Sequence, residues 1–537
     1  MIVFILRATA FFMSFSNCSM PMKLVLSGFL AVFLILPFTA VAQTDRPLML
    51  FDRDVPRTSD RELQFIALFY NQWVHNNLEV TQPFFQGQVI GRMFGLNTTT
   101  THRGSGSYFE QRFLPFLIYT PKLMDGKVVL RTSFEIDWTW GDNSYGAAGN
   151  QGAAIGADQV NIQTQNVQLE ILPGNGWAVN FGLMRMFDNA ANPYRTLFDQ
   201  LASTGYRLAY WGTDGAGINV RKDWDFSRFS VGAYQLWEND IHRNDDVMLY
   251  MSTYERDFTK RFSQALSLWY VSDRGNNQGG TLGNGPASAI NDLNGSHRFA
   301  MQGIPYNADI FWLGTNWAYN PGFGTGRKML TGFVNGNIGR ISQRSNNATL
   351  YDVAGFAANV RLGYKYGQTN EDAVLSDLVY ASGDRDFTDR RYTGVITGNT
   401  WGTPAAIFIN HGAYLLFTHG NVVNRFVAAV NDLSNIGYGL TGGTLNYHKA
   451  FIPNKLDAKV GGALAYANAT PQGGGRHIGS EMNFKLRWTP KILMDIELHG
   501  AYLWLGDFYD SQRVNGNQLS RPGNPWTVFL VYRWLML

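Results

Sequence analysis

Between Val128 and Trp140 the chain alternates without a break. Val128, Leu130, Thr132, Phe134, Ile136, Trp138 and Trp140 fall on one side, and Val129, Arg131, Ser133, Glu135, Asp137 and Thr139 on the other. Successive strand side chains point to opposite faces, so this stretch reads as one long strand with an apolar face and an ionic one. The same period of two recurs. Met482, Phe484, Leu486 and Trp488 alternate with Glu481, Asn483, Lys485 and Arg487, and Met494, Ile496 and Leu498 with Asp495, Glu497 and His499. Phe356, Ala358, Val360, Leu362 and Tyr364 alternate with Asn359, Arg361, Gly363 and Lys365.

A β-sandwich also alternates, but its strands run to about 5–6 residues, whereas a tilted membrane-crossing strand needs about 9–11. The segments here meet the longer requirement, and their apolar faces end in Trp138, Trp140, Trp488, Tyr502 and Trp504, as an interfacial aromatic girdle demands. Composition agrees. Charged residues are 16% against about 25% in soluble domains, aromatics reach 14%, and there are 57 glycines. Past residue 42 no window approaches 18 consecutive apolar residues, so helical spans are not expected. The fold class that follows is all-β, a transmembrane antiparallel barrel of about 18 strands (16–20), taken to occupy residues 80–537.

Connections alternate in length. Short turns are expected at 121–126, 173–176, 453–455 and 490–491, where Pro, Gly and Asn set turn dihedrals. Long loops are expected at 141–158, 188–204, 273–308, 384–406 and 506–524, rich in Gly, Asn and Asp. Segments 206–222 and 421–450 are ambiguous between strand and loop. The last strand places Trp526, Val528, Leu530, Tyr532 and Trp534 on one face, a terminal signal of the kind an insertion machinery reads, followed by an overhang of Leu535, Met536 and Leu537.

Residues 1–42 read as a signal peptide. Lys23 precedes an apolar core, and Ala40-Val41-Ala42 forms a small-x-small cleavage site; the true start is expected at Met20 or Met22. The single cysteine, Cys18, falls in this part, and with Arg7 and Lys23 gone 42 basic residues face 41 acidic ones. That balance leaves no basic excess for nucleic acid. Residues 43–79 are expected to form a periplasmic segment with a short helix over about 60–76. Ser59-Asp60-Arg61-Glu62 matches a capping box, and Leu63, Ile66, Phe69, Tyr70 and Trp73 follow at helical spacing. A lid on the periplasmic rim, a plug in the lumen and a partner-binding arm are its three readings.

No nucleotide loop, zinc set or other cofactor site is expected. Gly322-Phe323-Gly324-Thr325-Gly326-Arg327-Lys328 lacks P-loop spacing, and the nine histidines are scattered. Glu497 and His499 would supply two members of a catalytic triad, but no motif singles out a serine, and no enzyme is expected. Function points instead to the inward faces. Arg131, Glu135, Asp137, Arg361, Lys365, Glu481, Lys485, Arg487, Glu497 and His499 are expected to line the pore, with Lys459 and Asp495 among them. Charges of both signs suit polar or zwitterionic solutes. Asp384, Arg385, Asp386, Asp389, Arg390 and Arg391 form a loop rim, where the arginines would neutralise the aspartates, or the aspartates would bind Ca²⁺.

Tyr380-Ala381-Ser382-Gly383-Asp384-Arg385-Asp386, with Gly398-Asn399-Thr400-Trp401-Gly402 beyond it, resembles the alginate-export type of outer-membrane channel. The likeness extends to Phe181-Gly182-Leu183 and Tyr206-Arg207-Leu208-Ala209-Tyr210. It implies a large single-chain barrel. The balanced wall departs from that family's arginine-dominated lumen, so an acidic polysaccharide does not follow. The expected function is a porin-like, passive outer-membrane channel of a Gram-negative (diderm) bacterium for hydrophilic solutes or polysaccharide segments through a charged, wetted lumen, with small hydrophilic or carbohydrate solutes, outer-membrane lipid and the barrel-assembly machinery as partners. The alternatives are a transporter of hydrophobic compounds with an N-terminal plug, and a structural or docking barrel with a closed lumen.

Overall fold

The structure is a computed structural model and describes residues 61–81, 91–95, 98–101, 104–140, 160–186, 213–238, 246–275, 295–301, 303–397, 412–418 and 427–536. The leader expected over residues 1–42 lies outside them. The chain opens with β1 (Leu63–Asn76), and its first loop carries β2 (Leu78–Val80), β3 (Gly91–Arg92) and β4 (Thr98–Thr100). Long strands follow: β5 (Gly106–Tyr119), β6 (Val128–Trp140), β7 (Val160–Gly174), β8 (Trp177–Met186), β9 (Thr213–Asp223) and β10 (Ser227–Trp237). Next come β11 (Val247–Thr259), β12 (Phe262–Asp273), β13 (Tyr306–Tyr319), β14 (Lys328–Gln343), β15 (Thr349–Lys365) and β16 (Ala373–Ala381). A long loop then holds β17 (Arg391–Tyr392) and β18 (Val427–Ala428), before β19 (Leu440–Ile452), β20 (Leu456–Tyr466), β21 (His477–Lys491), β22 (Met494–Leu505) and β23 (Trp526–Met536).

The long strands pair antiparallel with their neighbours all the way round, and β1 joins β5 on one side and β23 on the other. Among the described residues this is a closed barrel of eighteen long strands, within the expected range. Closure is what a membrane requires, because an unpaired strand edge in hydrocarbon leaves N–H and C=O groups with no partner. Outward residues form an exposed apolar belt that includes Leu362, Leu378, Leu445, Val460, Phe484, Leu486 and Leu530. Aromatics cap it at both ends, Trp177, Trp488 and Trp534 near the short turns and Phe109, Tyr466, Tyr502 and Trp504 near the loops. The barrel is therefore of the transmembrane kind.

One expectation is overturned. Residues 63–76 are not a helix but β1, and the barrel begins at Leu63 rather than at residue 80. Leu63, Ile66, Phe69, Tyr70 and Trp73 do sit at helical spacing, yet both faces of this segment are largely apolar, so the pattern cannot separate the two periods. The open edges of β5 and β23 decide. From Ala67 to Asn76 each residue of β1 has a partner on both of them. Glu62, assigned above to a capping box, instead accepts the backbone N–H of Lys122 at 2.7 Å in the turn after β5. The presumed C-terminal overhang is likewise ladder: Leu535 stands opposite Leu68 and Met536 opposite Ala67.

Turns fall where expected at 121–126, 173–176 and 453–455, whereas the one expected at 490–491 falls at 492–493, because β21 runs on to Lys491. At Gly174-Asn175-Gly176 all three residues have positive φ (109°, 52° and 76°), and a Cβ on Gly176 would lie 2.2 Å from the carbonyl oxygen of Asp223. That closeness restricts the position to glycine.

Candidate functional site in the barrel interior

The interior divides along the barrel axis. Toward the short turns much of its wall is ionic, although on β5–β8 Phe116, Ile118, Val129, Leu172 and Ala178 form a buried apolar cluster with the Arg112–Asp137 pair beyond it, and the strand register explains the ionic pairing. Arg112 lies directly opposite Asp137 and grips it through two hydrogen bonds, each 2.7 Å. Around the wall Glu170 joins Arg131 and, at 3.3 Å, Arg221, while Asp223 takes Arg221 at 3.2 Å and Arg228 at 2.6 Å. Across the barrel Arg361 faces Asp377 (2.6 Å), Asp457 faces Arg487 (2.6 Å) and Asp495 faces Arg533 (2.6 Å), each pair directly opposed in register. Arg487 also reaches Glu371 at 3.1 Å. Opposite charges directly across a strand pair attract, and the guanidinium fork fits a carboxylate edge-on.

Of the residues expected to line the pore, Arg131, Asp137, Glu481, Glu497 and His499 are buried, and Arg361, Lys365, Lys485 and Arg487 are partly exposed. Glu135 keeps its place on β6, opposite Gln163. Glu497 and His499 hydrogen-bond to one another at 3.0 Å, with Lys485 3.9 Å from the same carboxylate. Lys365 reaches Asn370 at 3.4 Å. Sequence reasoning missed Arg112, Glu170, Arg221, Asp223 and Arg228. The signal existed on β9, where Asn219, Arg221 and Asp223 alternate with Ile218 and Val220, but it fell in a segment read as ambiguous.

Toward the loops the wall turns apolar. Val247, Leu249 and Met251 of β11, Trp269 and Val271 of β12, Ala308, Ile310 and Trp312 of β13 and Ile341 of β14 form one buried cluster with Phe299, Met301, Tyr392 and Ile396 from the loops. The charges expected on the inner faces thus line only part of the interior. The chain's own loops occupy the apolar part. Polar contacts fix their seating: the indole N–H of Trp312 donates to the carbonyl of Ile396 (2.9 Å), and the side-chain oxygen of Asn337 accepts the N–H of Ile396 (2.9 Å).

A second cluster lies against β14–β16 and β19–β22. There β18 pairs in parallel with β3, Met93 donates its N–H to Ala428, and Ala429 and Val430 donate theirs to Leu415 and Leu416. Phe94, Leu415, Phe417, Val430, Leu433, Phe508 and Tyr509 pack around this small internal sheet. The facing wall carries Ala357, Ala381, Ala463 and Ala465. Small inward side chains leave the space that the inserted loops fill, and each large apolar side chain buried there contributes about 1.5–3 kcal/mol.

Within this arrangement residues 412–416 are keyed to the wall. The Glu481 carboxylate accepts three successive backbone N–H groups, from Tyr414 (2.8 Å), Leu415 (2.8 Å) and Leu416 (2.6 Å). Asn483 donates to the carbonyl of Gly412 at 3.0 Å and to Glu481 at 2.7 Å. The Tyr414 ring meets Phe529 and His499 edge-on at 5.6 and 5.2 Å, and the Lys459 ammonium stands 4.2 Å from its centre.

The rim loop departs from its expected form. Asp384 is buried and accepts the N–H groups of Asp386 (3.2 Å) and Thr393 (3.4 Å), Asp386 takes Thr388 at 2.9 Å, and Asp389 takes the N–H of Arg391 at 2.7 Å. These aspartates shape turns, while Arg385, Arg390 and Arg391 project outward and exposed. Burial lifts the Asp384 carboxyl above its usual range, and the Thr388 hydrogen bonds hold Asp386 below it. No group of three or more metal-ligating side chains converges among the described residues.

No family model and no curated protein matches the chain. Solved structures similar to it include a BenF-like porin from Pseudomonas fluorescens Pf-5, at 11% identity over 88% of this chain and 98% of that one, with a TM-score of 0.47. The outer membrane protein opdK from Pseudomonas aeruginosa is 12% identical over 88% and 98%, with a TM-score of 0.45, and OpdL of the same organism 9% identical over 88% and 99%, also at 0.45. None of these three is named as an alginate-export protein.

Proposed function

We propose that the protein is an outer-membrane channel of a diderm bacterium that passes small hydrophilic solutes by diffusion. The observation that carries this reading is the set of ion pairs on the inner wall, where arginines face carboxylates across neighbouring strands inside a closed barrel. A wall of paired charges supports water and polar solutes without selecting one sign of ion. Arg361, Lys365, Lys485 and Arg487 are the partly exposed charges we assign to the solute path, with Arg131, Glu135, Asp137, Glu481, Glu497 and His499 as its supporting wall. Outer-membrane lipid would meet the apolar belt, and the barrel-assembly machinery would read β23. The likeness to alginate-export channels enters as a likeness of barrel type, because balanced charge favours neutral or zwitterionic solutes over a polyanion. Catalysis forms no part of this reading.

An apolar stretch of inner wall is what carriage of hydrophobic compounds would need. Here that stretch is covered by Phe299, Met301, Tyr392 and Ile396, and the segment read as a plug helix is β1. Purified protein in a planar bilayer tests the channel reading: discrete, voltage-stable conductance steps are expected, and a silent barrel overturns it.

A further inference from the structure

At the loop end of β22 and β23, which in barrels of this kind faces the cell exterior, a cleft lies on the lipid side of the wall. Its volume is about 710 Å³, inside the roughly 300–1,000 Å³ of small-molecule sites. Tyr502 and Trp504 of β22 and Trp526 of β23 line it. The two β22 rings have outward parity, opposite to buried Leu503 and Leu505. Tyr502 stands directly across from Trp526 in the ladder, and its ring lies 4.8 Å from that of Trp504. Aromatic rings are ordinary at this height, but a girdle ring simply meets lipid. Here the chain at 521–524 bounds the same cleft beside the rings.

That boundary is fixed in place. Asn77 donates its amide to the carbonyl of Asn524 (3.0 Å) and accepts the N–H of Trp526 (2.9 Å). Thr100 donates its hydroxyl to the carbonyl of Gly523 (2.8 Å), and the Asn524 side chain accepts the N–H of Leu505 (2.9 Å) while donating to the Tyr502 hydroxyl (3.3 Å). Flat rings beside amides and a hydroxyl suit a sugar, whose C–H face packs on an aromatic face while its hydroxyls exchange hydrogen bonds. Asp510 holds Arg521 through two hydrogen bonds of 2.8 and 2.7 Å and balances its charge, so the cleft favours a neutral ring over a phosphate. Trp526, Val528 and Leu530 then succeed one another on the outward face of β23, so the cleft runs directly into the apolar belt. A molecule with a sugar head and acyl tails fits both surfaces at once, whereas a free saccharide fits only the first.

We propose that this cleft binds the sugar headgroup of the outer-leaflet glycolipid, lipopolysaccharide, with Tyr502, Trp504 and Trp526 against the sugar and the acyl chains on the belt below. The proposal rests on the outer-membrane placement and is independent of conduction, so a silent barrel in a planar bilayer leaves it standing.

Native mass spectrometry of the barrel released from detergent tests it, by measuring bound lipid on wild type, Trp504→Ala, Tyr502→Ala and, at the opposite end of the belt, Trp488→Ala. Deep-rough lipopolysaccharide is the probe. Phosphatidylglycerol supplies tails without a sugar, and free glucosamine disaccharide a sugar without tails. All three substituted rings are exposed, and heat-modifiable gel mobility confirms that each variant is a folded barrel. Wild type and Trp488→Ala are expected to retain the glycolipid, and Trp504→Ala and Tyr502→Ala to bind it about tenfold more weakly, the loss of one large aromatic anchor. Excess phosphatidylglycerol should not displace it. Displacement by phosphatidylglycerol, or equal weakening by Trp488→Ala, reduces the rings to an ordinary girdle and overturns the site. If the free disaccharide binds as tightly as the glycolipid and is lost in Trp504→Ala, the cleft takes saccharides and the assignment to lipid is wrong. Wild type that retains no glycolipid, or folded cleft variants that bind it unchanged, overturn the proposal outright.

Discussion

At the scale of single residues, burial decides what a charge does. The Arg112–Asp137 pair is held edge-on with both side chains almost fully enclosed, at 5% and 3% exposure. Removing one partner of such a pair leaves the other charge desolvated, so Asp137→Ala is expected to cost on the order of 3–5 kcal/mol. Replacing both by apolar residues of like volume should cost less than that single change. Urea unfolding in detergent micelles separates the outcomes, and equal stability of Asp137→Ala and wild type would count against the pairing. His297 behaves differently. Its ring stacks on Tyr392 at 4.1 Å and Phe387 at 5.6 Å, and desolvation, helped by Arg298 and Arg513, pushes it down to about 3. An unfolded histidine titrates near 6.5, so between those values the unfolded chain binds the proton and the native one does not. Stability from this contact is whole above about pH 6.5 and falls as the pH drops toward 3. Amide protection factors at residues 296–301, which allow for the slower intrinsic exchange at low pH, should therefore fall on acidification, and His297→Phe should abolish that dependence.

At the scale of elements, β1 shows how an edge overrides a pattern. A segment that is apolar on both faces is compatible with a helix or a strand, and local propensity cannot choose. Two unsatisfied strand edges in a membrane can. Because Phe69 faces outward, opposite Phe113 and Trp534, Phe69→Arg places a cation in lipid and should destabilise the barrel by about 2–4 kcal/mol. A helix outside the barrel would tolerate the same change, and heat-modifiable mobility with thermal unfolding distinguishes the two. The strands of 128–140, 482–488 and 494–505 were legible because one face is apolar and the other ionic, so only one period fits. Strand β9 was harder: Gly215 and Gly217 dilute the alternation, and the contact of Arg221 with Glu170 of β7 is set by a distant strand.

At the scale of the whole molecule, the interior has two chemistries stacked along one axis. Most ionic pairs gather near the short turns, beside a small apolar cluster on β5–β8, and the apolar region near the loops is filled by the loops themselves. If the channel reading holds, selectivity should answer to the partly exposed charges. Arg361→Ala and Arg487→Ala each leave a carboxylate behind, Asp377 in one case, Asp457 and Glu371 in the other. Both variants are expected to shift the reversal potential in a salt gradient toward cation preference. An unchanged potential would remove these arginines from the ion path.

The amino-acid sequence alone determined the class of fold. Strand period, strand length and the aromatic ends of the apolar faces are local quantities, and a lipid-facing wall imposes them on every strand. Strand parity also gave an inward side to charges such as Arg131 and Glu481, while Arg112, Glu170, Arg221 and Arg228 went unnoticed. Tertiary structure alone decided what those charges face. Glu481 and Lys485 share a face of one strand, yet one holds a loop and the other looks toward Glu497, because loops from distant parts of the chain return into the barrel. Nothing in a strand's period records which loop will fold back onto it. That choice depends on Ala357, Ala381, Ala463 and Ala465 leaving room, on apolar side chains of the loops needing burial, and on both being brought to the same level by closure of the sheet.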